Sequence, residues 1–260
     1  MTDKKIWVIK LGGAVLNSEQ AAHDLFSALN TRAQQDQTQG FVVVHGGGAL
    51  VDSWLNDAGF ATAKHQGLRI SPKEQMPYIV GALAGCANKQ LMAQAITAGL
   101  RPVGLSLYEA GLMTTQKLKA LGQVGTCEPQ GDSLLPEMLV AGRIPLVSSI
   151  GIGADGALFN VNADEAAAAL AHQLGAELIF MTDVEAVLDG AGQPLAQLNS
   201  DQIEQLIAQK VIVGGMEVKV KTSLHAARHL RRGVYISSWQ KPDNLLALLE
   251  GQHVGTQILP

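Results

Sequence analysis

With 260 residues, 47% of them hydrophobic, 16% charged and a formal net charge of -4, the chain has material for one large or two modest domains with a proper core. Its 4% aromatic content and single short basic run, Arg228-His229-Leu230-Arg231-Arg232, argue against a nucleic-acid surface; the run reads as a helix C-terminus, where cations meet the negative end of the dipole. No apolar stretch approaches the roughly 20 residues that span a bilayer, and the apolar run after Asp3, Lys4 and Lys5 is cut by Lys10, too short for a signal peptide.

Cys86 and Cys127 are far apart and in no metal-like spacing. Reduced thiols in a cytoplasmic protein follow as the expectation.

In chain order, the first predicted strand, Ile6-Trp7-Val8-Ile9-Lys10-Leu11, breaks into Gly12-Gly13, and the second, Phe41-Val42-Val43-Val44-His45, into Gly46-Gly47-Gly48. A buried strand ending in bare backbone brings N–H groups close to an anion because no Cβ blocks the approach. Lys10 sets a cation beside the first such end, which reads as a phosphate site. A helix between them buries Ala22, Leu25, Phe26, Leu29 and Ala33, with Asn17 and Gln20 as its capping pair. The next helix follows Gly48 directly, with Leu50, Val51, Trp54, Leu55 and Ala58 inward.

Ser71-Pro72-Lys73-Glu74 predicts an N-cap serine, proline at the first helical position and a capping glutamate for a helix running to about residue 98. Its surface from Gly81 to Ala87 is unusually small, which fits close packing within the chain or a helix crossing between subunits equally well. Strands over 101–107 and 122–129, a helix over 134–141 and a strand over 144–150 follow. Asn162-Ala163-Asp164-Glu165 opens an alanine-rich helix with cap and N3 glutamate in place. The last third predicts a strand over 177–182, a helix over 201–209, a glycine turn at Gly214-Gly215, a helix over 217–230, a strand over 234–238, a helix over 242–250 and a final segment over 255–259.

Two common nucleotide fingerprints fall away. No G-x-x-x-x-G-K-[ST] stretch occurs. The one G-x-G-x-x-G, Gly151-Ile152-Gly153-Ala154-Asp155-Gly156, sits between two apolar segments with Asp-Gly at its centre and opens no helix, so it reads as a hairpin turn.

The alternation predicts an α/β protein, three layers α/β/α around a mostly parallel central sheet, with ligands at the carboxyl ends of the strands. The break at Leu174-Gly175 divides it into two lobes, residues 1–174 and 175–260.

Taken in order, Lys10-Leu11-Gly12-Gly13, His45-Gly46-Gly47-Gly48, Gly67-Leu68-Arg69, Asn160-Val161-Asn162-Ala163-Asp164, Thr182-Asp183-Val184 and Gly214-Gly215-Met216-Glu217-Val218-Lys219 resemble the amino acid kinase family over essentially the whole chain. Within it, the F-N-V-N-A-D-E-A segment and the early G-L-R resemble members that use ATP to phosphorylate the side-chain carboxylate of N-acetyl-L-glutamate in arginine biosynthesis. The resemblance implies that Lys10 and Lys219 contact the phosphoryl group in flight, that Asp164 holds both lysines, and that Gly12 and Gly13 bind phosphate. It places the acid on Gly47, Gly48, Arg69 and Asn160, with Arg69 gripping its α-carboxylate through a planar fork. Asp183, Val184, Glu185, Ala186, Val187 and Leu188, with Val211, Ile212 and Val213, would line the adenine and ribose pocket. Val218 stands where many members have proline, which bears on the stiffness of that turn.

A carboxylate with a reference pKa near 4.3 is already ionised at neutral pH and needs no general base. The barrier lies in gathering anions and stabilising charge, the work of cations, backbone donors and Mg²⁺ held mainly by the ATP phosphates, with no protein metal ligands expected. His45 is then structural. The rival readings are another kinase of the family, acting on glutamate, aspartate, carbamate, UMP or an acylated aminoadipate, and a catalytically silent amino-acid sensor; Lys10, Asp164 and Lys219 together speak against the sensor. Five residues precede Ile6, too few for the N-terminal helix that links arginine-inhibited hexamers in the family, so the expected assembly is a homodimer indifferent to arginine.

Overall fold

The computed structural model describes residues 4–65, 67–118, 120–131 and 133–260. In chain order the elements are β1 (Lys5–Leu11), α1 (Glu19–Gln35), β2 (Gln39–His45), α2 (Gly48–Asp57), β3 (Lys64–His65), β4 (Leu68–Arg69), α3 (Met76–Val80), α4 (Asn88–Thr97), β5 (Pro102–Ser106), β6 (Met113–Lys117), β7 (Val124–Pro129), α5 (Leu135–Val140), β8 (Ile144–Ser148), β9 (Ile150–Ile152), β10 (Leu158–Val161), α6 (Ala163–Leu174), β11 (Glu177–Thr182), β12 (Gln197–Leu198), α7 (Ser200–Ala208), α8 (Gly214–Leu230), β13 (Val234–Ser238), α9 (Pro242–Leu249) and β14 (Thr256–Ile258).

The main sheet has eight strands in the order β12-β14-β13-β11-β1-β2-β8-β5, parallel except where β14 meets β13. Strand β1 lies at its centre, and the residue alternation of an extended chain sends its side chains to opposite faces. Ile6 and Val8 enter one core with Val44, Phe180 and the alanines of α6. Trp7, Ile9 and Leu11 enter the other with Leu25, Phe26, Leu91 and Leu245. Helices thus cover both faces, and the sheet passes unbroken from one predicted lobe to the other, because β1 pairs with β11. A second sheet, β6-β7-β10-β9, stands beside the carboxyl ends. No helix among the described residues is long and apolar enough to cross a membrane.

Several local expectations are corrected. Ser18, not Asn17, caps α1 by accepting from the N–H of Ala21 (3.2 Å), and Gln20 turns outward to Asp24. Ser71 caps nothing: its N–H donates to Leu121 O (3.0 Å) and its carbonyl accepts from Gln123 N–H (2.6 Å), so the chain there is stitched to a neighbouring segment. The helix starts later, as a 3-10 turn at Lys73–Gln75, then α3, a π-helical stretch at Gly81–Ala87, and α4. The small residues have a packing reason at Gly81, where a Cβ would lie 3.1 Å from the ring of Trp54 on α2. The single strand predicted over 144–150 is two, because β8 belongs to the main sheet and β9 to the second. Strand β6, unpredicted, is polar at every residue after Met113 and is held by antiparallel pairing with β7.

Other expectations hold. Strands β9 and β10 form the hairpin expected of the Gly151–156 segment, with Ile152 opposite Leu158 and Gly156 at φ +77°. Gly175 closes α6 in the left-handed conformation at φ 59°. Asn162 caps α6 through the N–H groups of Asp164 (2.8 Å) and Glu165 (3.2 Å). Glu165, however, accepts from Cys127 N–H (3.3 Å) instead of closing a capping box.

Candidate active site

The carboxyl ends of the central strands lie in one row, with Leu11 opposite His45 and Met181, His45 opposite Ser148 and Thr182 opposite Ser238. The chain leaves β1 toward β2 on one side and returns as β11 on the other, so this row is the topological switch point where open α/β sheets bind ligands. Lys10 follows Ile6 and Val8 on the α6 face of β1. That alternation carries its ammonium to the first turn of α6, where Nζ lies 2.7 Å from Asp164 Oδ1. The first turn of a helix, the positive end of its dipole, is where an acidic side chain is commonly placed.

The two glycine loops touch. A Cβ on Gly13 would lie 3.5 Å from Gly48 N and 3.6 Å from Gly47 Cα. The first N–H groups of α2, and of the 3-10 turn at Gly13–Asn17, have no intrahelical acceptor. They are therefore available to an anion between the loops.

Buried His45 holds the second loop from below. Its Nδ1–H donates to Gly46 O (2.9 Å), while Nε2 accepts from Asn88 Nδ2 (3.0 Å), which also donates to Leu146 O. Burial lowers its pKa to about 4. The imidazole is neutral and fully engaged, the structural role expected of it.

Arg69 is buried and already gripped: Nη1 donates to Asp52 Oδ1 (2.6 Å) and Nη2 to Gly48 O (3.1 Å). Its guanidinium holds the Asp52 carboxyl below the usual range. Asn160 donates from Nδ2 to Ser71 Oγ (3.2 Å). Arg69, Asn160, Gly47 and Gly48 line one cavity of about 240 Å³ together with Lys10, Gly13 and Asp164.

Lys10, Gly13 and Asp164 also line a central cavity of about 330 Å³, which Gly12, Lys219 and Asp183 complete. Lys219 enters from α8. The expectation that Asp164 holds both lysines is corrected here: Lys219 pairs with Asp183, and that contact lowers the Asp183 carboxyl's pKa. Asp183 follows β11 directly, and Thr182 folds the turn after it through Val184 N–H (3.2 Å). Lys221 points elsewhere, to Glu217 at 2.6 Å on the same helix. Helix α8 already begins at Gly214, so Val218 sits within its second turn, exposed.

Asp183 in turn lines an outer cavity of about 680 Å³ with Val184, Glu185, Ala186, Val187, Leu188, Val211 and Ile212. Val213 is outside that lining, an exposed residue at the N-cap of α8. Sequence reasoning missed Lys64 and Leu83 in the inner cavity and Trp239 in the central one. It also missed Asp52, although its position four residues after Gly48 on one helix was a usable signal.

An open parallel sheet whose switch-point strand offers a lysine between two glycine loops, faced by a second lysine from another helix, is the framework of an enzyme that transfers a charged phosphoryl group. The chain belongs to the amino acid kinase family, matching its profile over residues 5–238. It is 49% identical over 257 residues to the acetylglutamate kinase of Aeromonas salmonicida, covering 98% of this chain and 99% of that one. It is 50% identical over 253 residues to the acetylglutamate kinase of Serratia proteamaculans, covering 97% and 98%. Among solved structures, smu.665 from Streptococcus mutans UA159 has a TM-score of 0.78 at 28% identity, covering 100% of this chain and 99% of that one.

Proposed function

We propose that the protein transfers the γ-phosphoryl group of ATP to the side-chain carboxylate of N-acetyl-L-glutamate, forming an acyl phosphate in arginine biosynthesis. The observation that carries this reading is the central cavity, into which Lys10 and Lys219 both project between an inner cavity lined by glycine backbone and Arg69 and an outer one lined by the 183–188 loop. The near-full-length identity to acetylglutamate kinases supports the choice of acid.

The acid binds in the inner cavity, its non-reacting carboxylate on Arg69 and Asn160 and its reacting carboxylate against Gly47 and Gly48. The nucleotide takes the outer cavity, its base and ribose along Asp183–Leu188 and residues 211–213, its phosphates toward Gly12 and Gly13. Lys10 and Lys219 then flank the transferring group and stabilise its charge as prepositioned cations. Asp164 and Asp183 keep those ammonium groups aimed. No cluster of three or more His, Cys, Asp or Glu side chains suited to a metal occurs among the described residues. Mg²⁺ would be held mainly by the nucleotide's phosphate oxygens and would neutralise part of their charge.

In this reading residues 1–174 hold the acid and residues 175–260 the nucleotide, and the cytoplasm is the compartment, with its ATP and a thiol pool that keeps Cys86 and Cys127 free. A homodimer is supported by the outward side of the helical run from Met76 to Ala87, which exposes Tyr78 on α3 and Gly85 on the small-residue segment after it. The test is ADP formation that requires N-acetyl-L-glutamate, with the product captured as a hydroxamate by hydroxylamine. Equal or better turnover with free glutamate or aspartate would overturn the choice of acid.

A further inference from the structure

The short hairpin of β3 and β4 puts Lys64 directly opposite Arg69. Both residues line the inner cavity. Like charges facing each other across an antiparallel pair destabilise it, and each strand of this hairpin is only two residues long. An anion between the two cations relieves the repulsion, and the protein supplies one carboxylate there: Asp52, bonded to Arg69 at 2.6 Å and held in its ionised form also by the charge of Lys64.

The two cations differ in what balances them. Lys10 is balanced by Asp164 and Arg69 by Asp52. Lys64 has no ion-pair partner among the described residues and lies exposed at the rim. A cavity lined in this way carries one uncompensated positive charge, and that charge is not on the buried arginine.

Resting on the assignment of the acid to this cavity, we infer that Lys64 supplies the free charge that attracts and anchors the non-reacting carboxylate of the dicarboxylic substrate, while Arg69 sets that carboxylate's orientation. The arginine presents a planar fork, already fixed by Asp52 and Gly48. The lysine presents a point charge on a flexible stem, suited to capture at a rim. Because the contact lies near solvent, its contribution is modest and sensitive to salt.

The experiment compares the wild-type protein with Lys64→Ala and Lys64→Arg. It reads kcat, KM for N-acetyl-L-glutamate, KM for ATP, and the inhibition constant of 4-acetamidobutyrate, which keeps the reacting carboxylate and the acetamide but lacks the α-carboxylate. The expected result is a roughly three- to fivefold higher KM for the dicarboxylic acid in Lys64→Ala, restored by arginine. kcat, KM for ATP and the inhibition constant of the monocarboxylic acid should stay level. Raising the salt should weaken wild-type affinity for N-acetyl-L-glutamate more than that of the alanine variant. An unchanged KM, or an equal loss of affinity for 4-acetamidobutyrate, overturns the inference. Failure of the acid assignment itself is read separately, from the wild type alone, as absence of turnover with N-acetyl-L-glutamate.

Discussion

Lys219 is ion-paired to Asp183, whereas Asp164 lies 2.7 Å from Lys10. Each of the two lysines that face the central cavity thus brings its own carboxylate. The pairs come from different elements: Lys10 from β1 with Asp164 from α6, and Lys219 from α8 with Asp183 from the turn after β11. Two aimed ammonium groups can meet a phosphoryl group without reorganising at the moment of reaction, because their positions are set by separate contacts.

Lys10→Ala and Lys219→Ala are each expected to lower kcat by about 10²-fold or more, the typical cost of deleting one preorganised charge-stabilising group. Asp183→Asn should cost about tenfold, since Lys219 remains but is no longer held in line. Steady-state kinetics on the double variants checks the pairing. Asp183→Asn should add little to Lys219→Ala, whereas Asp164→Asn should add a further loss, because coupled groups are non-additive and separate ones are not.

Arg69→Ala is expected to raise KM for the acid with kcat held within a few-fold, because the carboxylate it contacts does not react. Arg69→Lys should recover little of the loss, since the fork that spans Asp52 and Gly48 is gone. Initial-rate measurements with the acid varied at saturating ATP decide it. A normal KM with collapsed kcat would move Arg69 into the chemistry.

Gly48 separates the need for bare backbone from the need for room inside the fold. A Cβ there meets nothing within 4 Å in the protein, and alanine at the first residue of α2 loses less backbone entropy on folding than glycine, by less than the roughly 0.5–1 kcal/mol of a helix interior. Gly48→Ala is therefore expected to raise the melting temperature slightly while lowering kcat/KM for the acid, since the new methyl group stands where the reacting carboxylate approaches. Gly47→Ala differs: its Cβ would lie 2.8 Å from Leu83 Cδ2, so stability and activity should fall together. Thermal melts beside initial rates distinguish the two patterns.

His45 links stability to pH. Its pKa is depressed from 6.5 to about 4 by burial, so between those values the unfolded chain binds a proton that the folded one refuses. The stability is whole above pH 6.5, falls as the pH drops toward 4, and changes no further from this group below that; the difference is about 3 kcal/mol at most. His45→Gln should flatten the loss of melting temperature between pH 7 and pH 4.5. An unchanged slope would place the acid sensitivity in other groups.

Much of this protein is legible in its sequence because the signals are local. Strands that break into Gly12-Gly13 and Gly46-Gly47-Gly48, the Asn162 cap of α6, the left-handed Gly175 and the Asp155-Gly156 hairpin each depend on residues a few positions apart, whose periodicity, capping and turn chemistry act within one element. From those pieces the alternation of strand and helix and the placing of Lys10 at a strand end followed. Tertiary structure decided the rest, because it depends on contacts between distant segments. Ser71 has the look of a helix cap but is pinned by residues 121–123. The run over 144–150 reads as one strand, yet β8 ends in the main sheet at Ser148 and Ile150 opens β9 in the other sheet. Lys219 and Lys221 are indistinguishable by neighbours in the chain. Only the approach of the turn after β11 to α8 gives one of them Asp183 and a place in the cavity, leaving the other to Glu217 on the open face of the helix.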